Sequence, residues 1–423
     1  MLRENLDIFE QSNTIWIAYS GGLDSQVLLH LCGQSKYVNK IKAIHIHHGL
    51  SNNADQWVEH CKESCQILKI PLIIKYIKIN ELKKKKESLE EVARQARYEI
   101  FEELLEENDV LLMAHHADDQ AETFLLRALR GAGIEGLSAI PQQRKLGKGL
   151  LYRPLLNFSR VELQEYASKN NLKWIEDESN QSEEFDRNFL RKQIIPNLKE
   201  RWKGLEKTLC RTANLQTETA QLLMEIASED LIQCQGDDKN ILNIEKLLQL
   251  SEQRQTNLLR YWLKSLNFEI PSRIKIQQIQ KDILLSKIDR QPCVKWEGVE
   301  IRRYREHLYA MSPLPPKILQ PIEFIWNIKE TLKLPFGELR AKKEMFGLPN
   351  NTYQIRFRKG GETCFVFGQH HEVKKLLQEK GVPTWLRAFI PLIYHENRLV
   401  AIPNVVIADD WRIENGRRPD WKF

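Results

Sequence analysis

Short apolar runs alternate with longer amphipathic stretches through the first 130 residues of this chain. Thr14–Tyr19 reads as a strand: brief, apolar, with β-branched Ile15 and Ile17. Gln26–Cys32 sets Val27, Leu28 and Leu31 on one side, the spacing of a helix. The same reading predicts strands at Lys42–His47, Pro71–Ile79 and Asp109–Ala114. It predicts helices at Asn53–Leu68, Ser88–Leu105 and Gln120–Leu129, the second opened by a capping-box pair, Ser88 and Glu91. Strands alternating with helices imply a parallel sheet with right-handed crossovers. Such sheets bind ligands beyond the carboxyl ends of their strands. The polar stretches fall there, after Tyr19, after His45 and after Met113.

The pattern changes near Trp202. From there to about Leu285 it is helical, rich in Leu, Gln, Glu and Lys, with few strand signals. Pro313, Pro315 and Pro316 mark a linker. From about Leu332 short β-like runs (YQIRFR, CFVFG, PLIYHENRLVAI) surround one helix near Val373–Glu379. The 423 residues are too many for one ordinary domain. The expected divisions are a catalytic domain over 1–215, a mainly helical domain over 216–315 and a small α+β domain over 332–423. The four-Lys run Lys83–Lys86 reads as an exposed loop.

Composition narrows the class. Hydrophobic residues at 42% and charged residues at 28% are ordinary for a soluble protein. No apolar run reaches the length of a membrane span, and Met1–Asn13 lacks the apolar centre of a secretory signal. Seven scattered Cys are no disulfide framework, so a reducing cytoplasm is the expected home. A net charge of +6 leaves a solvated surface and a polyanionic partner equally open. A homodimer is compatible with the sequence.

The chemistry concentrates in two stretches. SGGLDS, from Ser20 through Gly21, Gly22, Leu23 and Asp24 to Ser25, joins a strand to a helix. Glycines there let the backbone approach an anion, and the helix start offers N–H groups to it. The missing Lys and the shorter turn exclude a Walker A loop. Asp24 beside phosphate needs a bridging hard cation such as Mg²⁺. The competing reading is Asp24 or Ser25 as a helix N-cap; the residues alone leave both open. The second stretch, MAHHADDQAETFLLRALRGAG, spans 113–133. Asp119 and Glu122 share one helix face three residues apart and could hold Mg²⁺ or a substrate ammonium. Acids at a helix start also simply suit its dipole, which accounts for Asp118 and Asp119 but poorly for His115 and His116. Zinc is discounted because no third ligand lies close in sequence. Arg94 and Arg97 lie on one helix face, suited to phosphate or to a lattice with Glu90, Glu91 and Glu99. Asp186 to Arg191 reads as a helix start capped by Asp186, or as Arg187 and Arg191 facing a substrate.

SGGLDS resembles the SGGxDS signature of the PP-loop ATP pyrophosphatases. With SLEEVARQARY, HHADDQAET, RPLL at Arg153–Leu156 and EDESNQSEEFDRNFLRKQIIPNL at 176–198, the chain resembles the tRNA(Ile)-lysidine synthetase family closely over 14 to about 200. The likeness continues more loosely through RKGGE (358–362) and VPTWLRAFIPLIY (382–394). The resemblance implies an α/β PP-loop domain followed by two tRNA-binding domains. It implies that ATP adenylates the wobble cytidine of a tRNA(Ile) with a CAU anticodon, and that free L-lysine then displaces AMP to give lysidine. On that likeness Ser20, Gly21, Gly22, Leu23, Asp24 and Ser25 would hold ATP, Asp24 would hold Mg²⁺, and Ala18 and the backbone of the strand at 42–47, His45 included, would flank adenosine, which this superfamily reads largely by main chain. Asp119 and Glu122 would receive the lysine ammonium or a second metal. His115 or a carboxylate would take the amine's proton, Arg97 would meet phosphate, and Arg187, Asn188 and Arg191 would contact substrate. Downstream, Arg356, Arg358, Lys359, Lys374, Lys375, Arg387, Arg412, Arg417 and Arg418 would form a basic face for tRNA, with Trp385 and Trp411 either stacking on bases or buried. The rival is a tRNA thiolation enzyme of the same superfamily. Such enzymes commonly use paired Cys, whereas Cys61 and Cys65 at i,i+4 suggest packing.

Overall fold

The computed structural model describes residues 6–49, 53–77, 89–176, 186–287, 290–316 and 322–423. The Lys83–Lys86 run, Ser88 and most of the 176–185 motif segment therefore lie outside the described residues. The chain divides into two compact units, Met1–Leu223 and Met224–Phe423.

The first unit is built on a six-stranded sheet in the order β3-β2-β1-β4-β6-β5. β1 (Ile15–Ala18), β2 (Ile41–His47), β3 (Leu72–Tyr76), β4 (Val110–Leu112) and β6 (Gly149–Tyr152) run parallel. β5 (Gln143–Leu146) closes the edge as an antiparallel hairpin with β6, an element the apolar pattern did not announce. The helices are α1 (Leu6–Gln11), α2 (Leu23–Gly33), α3 (Ala54–Ile67), α4 (Leu89–Leu104), α5 (Ala117–Leu129), α6 (Ile134–Leu137) and α7 (Arg160–Lys169). They are followed by α8 (Asp186–Phe189), a π turn (Leu190–Ile194), α9 (Ile195–Arg201) and α10 (Leu205–Cys234).

Alternation along the strands explains the layering. Ile15 and Ile17 of β1, with Val110 and Leu112 of β4, pack one face against Val27, Leu28 and Cys61. Trp16 and Leu111 point the other way and pack with Val92, Ala96 and Phe101. A sheet buried on both faces needs such continuous apolar runs. The strand order reverses between β1 and β4, so the segments leaving those two strands open side by side. That is the switch point at which doubly wound sheets bind ligands.

In the second unit a single described strand precedes Leu285, and three more follow it before Pro313. β7 (Ile241–Asn243) joins β8 (Cys293–Trp296), β9 (Val299–Tyr304) and β10 (His307–Met311) in a four-stranded sheet, order β7-β10-β9-β8. This sheet packs with the helices around Trp262, which is fully buried. Farther on, Thr352–Phe357, Thr363–Val366, Pro391–His395 and Arg398–Ile402 are strands, and Val373–Glu379 is the expected helix.

Candidate active site

Gly21 is buried with φ +86°, and a Cβ there would stand 2.8 Å from Ile175 Cδ1 and 3.1 Å from Cys61 Sγ. Only glycine meets both demands. The Ile175 N–H donates to the Gly21 carbonyl at 2.9 Å and fixes the bend from outside. The Ser20 and Ser25 hydroxyls lie 3.0 Å apart, and Ser25 Oγ donates to the Gly22 carbonyl at 3.0 Å. The N-cap of α2 is Gly22, and no side-chain hydrogen bond caps the helix. The two readings of SGGLDS thus separate: neither Asp24 nor Ser25 is the cap. The first-turn amides of α2 and its dipole are left to favour an anion.

Asp24 sits in that first turn. Its Oδ2 lies 3.5 Å from His116 Nε2, while its buried Oδ1 has no hydrogen-bond partner among the described residues. An unsatisfied buried carboxylate oxygen is costly, and Mg²⁺ binds through one or two such oxygens, completing its shell with water and phosphate. The site therefore fits Mg²⁺ carried by a nucleotide. Among the described residues no three His, Cys, Asp or Glu side chains are grouped to hold a metal by themselves.

β4 delivers the second cluster. His116 is the N-cap of α5 and 3% exposed. Its Nε2 is 3.5 Å from Asp119 Oδ2 as well as from Asp24, and its Nδ1 is 3.6 Å from Asp118 Oδ2. Burial works against its charge, but Asp118, Asp24 and Asp119 outweigh that and push its pKa up to about 10. His115, one residue earlier, behaves oppositely. Desolvation, with Arg153, Arg187 and Arg97 nearby, holds it near 4 against the pull of Asp119. Arg153 Nε–H donates to His115 Nδ1 at 3.2 Å, so the neutral ring carries its proton on Nε2. The expected proton acceptor is thus arranged as a hydrogen-bond donor.

Asp119 and Glu122 do share a face, and two guanidinium groups already sit on it. Arg187 donates Nε–H to Glu122 Oε2 and Nη2–H to Asp119 Oδ1, both at 2.7 Å. Arg191 donates to Glu122 Oε1 at 2.6 Å and Oε2 at 2.9 Å. Glu122 is 2% exposed. Burial raises the Asp119 pKa, but His116 and Arg187 more than offset it, and the carboxyl stays below its usual range. Local sequence explains the aim of Arg191. Pro196 has no N–H for the carbonyl four residues back, and the helix widens into the π turn that carries Arg191. Asn188 lies half-buried on the turn between the two Arg.

The remaining expected residues divide. Arg97 on α4 is half-buried, and its charge acts on His48 and His115. Arg94 is exposed and lies over the Tyr98 ring at 5.7 Å. Ala18 ends β1 half-buried, next to the bend. Leu23 opens α2, but its side chain belongs to the core, so only its backbone faces the bend. His45 is 4% exposed and donates Nδ1–H to the Tyr19 carbonyl at 2.9 Å, so its side chain braces β1 and leaves the backbone, as expected, to meet adenosine. Arg387 is a correction: it is 8% exposed and bound to the Val382 carbonyl and the Tyr304 hydroxyl, not presented on a basic face. Trp385 is buried, and Trp411 packs against Tyr353 and His395. Lys359, Lys374, Lys375, Arg412 and Arg418 are exposed. Sequence reasoning missed His116, Arg153 and Lys199 as parts of the site; the doubled His and the RPLL stretch were the available signals.

Residues 2–198 match a PP-loop domain, 242–309 a TilS substrate binding domain and 353–421 a TilS substrate C-terminal domain. The chain is 42% identical to the tRNA(Ile)-lysidine synthase of Coxiella burnetii (strain RSA 493 / Nine Mile phase I) over 406 residues, 93% of this chain and 89% of that one. The chain belongs to the tRNA(Ile)-lysidine synthase family. The family member of Serratia proteamaculans (strain 568) is 39% identical over 418 residues, 96% of this chain and 94% of the relative. Among solved structures, the U34-tRNA thiolase NcsA from Methanococcus maripaludis is similar at TM-score 0.42 and 19% identity, over 50% of this chain and 75% of that one. The thiolation reading finds less support here than the lysidine synthase reading. Cys61 and Cys65 lie buried beneath the bend, and burial pushes both thiols up to about 12, away from a reactive thiolate.

Proposed function

We propose that this chain ligates free lysine to carbon 2 of the wobble cytidine of tRNA(Ile) bearing a CAU anticodon. ATP is consumed through an adenylated cytidine, and pyrophosphate and then AMP are released. The observation that carries the reading is one juxtaposition. The uncapped start of α2 and the Asp119–Glu122 pair open beside each other at the sheet's switch point and are joined through His116.

The residues then take these roles. The backbone of Ser20–Ser25 and the start of α2 grip the leaving pyrophosphate, and the base oxygen of cytidine attacks the α-phosphate in line. Nucleotidyl transfer of this kind relies on positioning and charge neutralisation. Mg²⁺, held at Asp24 with ATP, would supply part of that neutralisation. Arg97 and the neutral His115, donating from Nε2, would turn toward the same phosphate. Asp119 and Glu122 would receive the lysine ammonium. The attacking amine must shed a proton, and a carboxylate of this pair is the base at hand. Arg187 and Arg191, which hold the pair in the absence of substrate, would be free to meet phosphate once an ammonium takes their place.

Residues 1–215 would carry catalysis, and 216–315 with 332–423 would bind tRNA. The exposed Lys359, Lys374, Lys375, Arg412 and Arg418 would face the backbone phosphates. No helix among the described residues is long and apolar enough to cross a membrane; a cytoplasmic enzyme, with homodimerisation left to hydrodynamic measurement, is the reading we adopt. The test is incubation of the protein with ATP, Mg²⁺, labelled lysine and unmodified tRNA(Ile) carrying CAU. Label should enter the tRNA, and Asp24→Ala should abolish it. Sulfur in place of lysine in the product's mass would overturn the reading.

A further inference from the structure

The expected sites on the two strands account for Asp24, Asp119 and Glu122 but not for the side chain between them. His116 is almost wholly buried, and its Nε2 stands 3.5 Å from Asp24 Oδ2 and 3.5 Å from Asp119 Oδ2. One ring nitrogen thus faces one oxygen of each acid, and those acids come from helices that follow different strands. The consequence is visible in the other oxygens. Asp24 Oδ1 is left with no hydrogen-bond partner among the described residues, and Asp119 Oδ1 is turned to Arg187 at 2.7 Å.

The ring is itself held. Its Nδ1 faces Asp118 Oδ2 at 3.6 Å. Asp118 is fixed at both oxygens, by the Arg160 N–H at 2.8 Å and by Lys199 Nζ at 2.8 Å. Lys199 is anchored in turn by Glu206. Acidic and basic side chains alternate along the whole line from Glu206 through Lys199, Asp118 and His116 to the two site acids.

We propose that His116, held by Asp118 and Lys199, is a positioning residue that sets Asp24 and Asp119 together, so that one imidazole aligns the nucleotide side and the amine side of the site. This rests on the assignment of Asp24 to Mg²⁺ and of Asp119 to lysine. The line makes a prediction that separate structural roles do not. Asp118 and Lys199 act only through His116, so their removal should matter only while His116 is present.

The test is a double-mutant cycle on the full chain. Its first readout is Mn²⁺ binding, followed by electron paramagnetic resonance with α,β-methylene-ATP and no tRNA. His116→Ala should weaken Mn²⁺ binding about tenfold or more and raise the KM for lysine, and Asp118→Asn should weaken Mn²⁺ binding about threefold. Lys199→Met should behave like Asp118→Asn, and Lys199→Arg should restore wild-type binding. The double variant His116→Ala/Asp118→Asn should match His116→Ala alone in Mn²⁺ binding. Asp118→Asn and Lys199→Met keep the question open to measurement if His116→Ala does not fold. Equal weakening by Asp118→Asn with and without His116 would overturn the proposal, as would unchanged Mn²⁺ binding in Asp118→Asn and Lys199→Met. Failure of the wild-type protein to make lysidine would instead overturn the functional reading, and the Mn²⁺ cycle would still decide the role of His116.

Discussion

Glu122→Gln is the substitution that bears most directly on the amine site. The native carboxylate accepts three hydrogen bonds, from Arg187 Nε at 2.7 Å and from Arg191 Nε and Nη2 at 2.6 and 2.9 Å. Bonds to charged groups are worth roughly 1.5–3 kcal/mol each when one partner is removed. Gln keeps a carbonyl oxygen that can still accept, so the loss is about one such bond plus the attraction of the missing charge. Fully buried pairs lose about 3–5 kcal/mol when one member goes. Arg187 and Arg191 are 35% and 29% exposed and can turn to water, which places the cost lower, at about 2–3 kcal/mol. An incoming lysine ammonium needs the same carboxylate, and a loss of that size is roughly a 30- to 150-fold fall in kcat/KM for lysine. Pyrophosphate release from ATP and tRNA, measured with lysine omitted, should stay within about threefold of wild type, because the bend after β1 is untouched. The assay is labelled-lysine incorporation across lysine concentrations beside that pyrophosphate release. If the two fall together, the pair serves adenylation and the assignment to lysine is refuted. If lysine dependence is unchanged, the ammonium is received elsewhere.

Gly21→Ala should impair the nucleotide step, since its Cβ would overlap Ile175 Cδ1 at 2.8 Å and strain a φ of +86°; a destabilisation of about 1–3 kcal/mol and a raised KM for ATP are expected from urea unfolding and steady-state kinetics. Cys61 and Cys65, pushed up to about 12 by burial, should resist iodoacetamide at pH 8 in the native protein and react in denaturant. Rapid native modification, located by peptide mass, would mean the thiols are activated and would revive the thiolation reading. Asp118 is raised by burial but lowered further by His116 and Lys199, so its folded pKa lies below the ordinary 3.8. The stability it supplies is fully present above that value and drains as pH falls below it, so Asp118→Asn should flatten the acid limb of unfolding measured by circular dichroism below about pH 4.

The sequence made some of these features legible and concealed others for definite reasons. Four of the five parallel strands could be read because each is a short apolar run bounded by polar turns, and the sheet buries both faces of all but its edge. β6 escaped because it is paired on one side with β5, whose exposed Gln143, Arg144 and Lys145 look like loop. The four-stranded sheet of the second unit escaped for a related reason. β7 is three residues long and separated from β10, its partner, by the helices at Ile244–Leu248, Glu252–Ser265 and Arg273–Gln278 and by β8 and β9. At the site, the bend was legible because glycine and small polar residues have few other reasons to stand between a buried strand and a helix. The engagement of Asp119 and Glu122 by Arg187 and Arg191 was not, since it spans more than 60 residues and no local period reports it. His115 and His116 show the limit most sharply. They are the same residue type, one apart, in the same motif. The last loop position turns one ring to Arg153 and leaves it neutral, while the N-cap position turns the other into three carboxylates and charges it. Sequence can name the residue that ionises only after the helix boundary is known to a single position, which is the least certain quantity that periodicity provides.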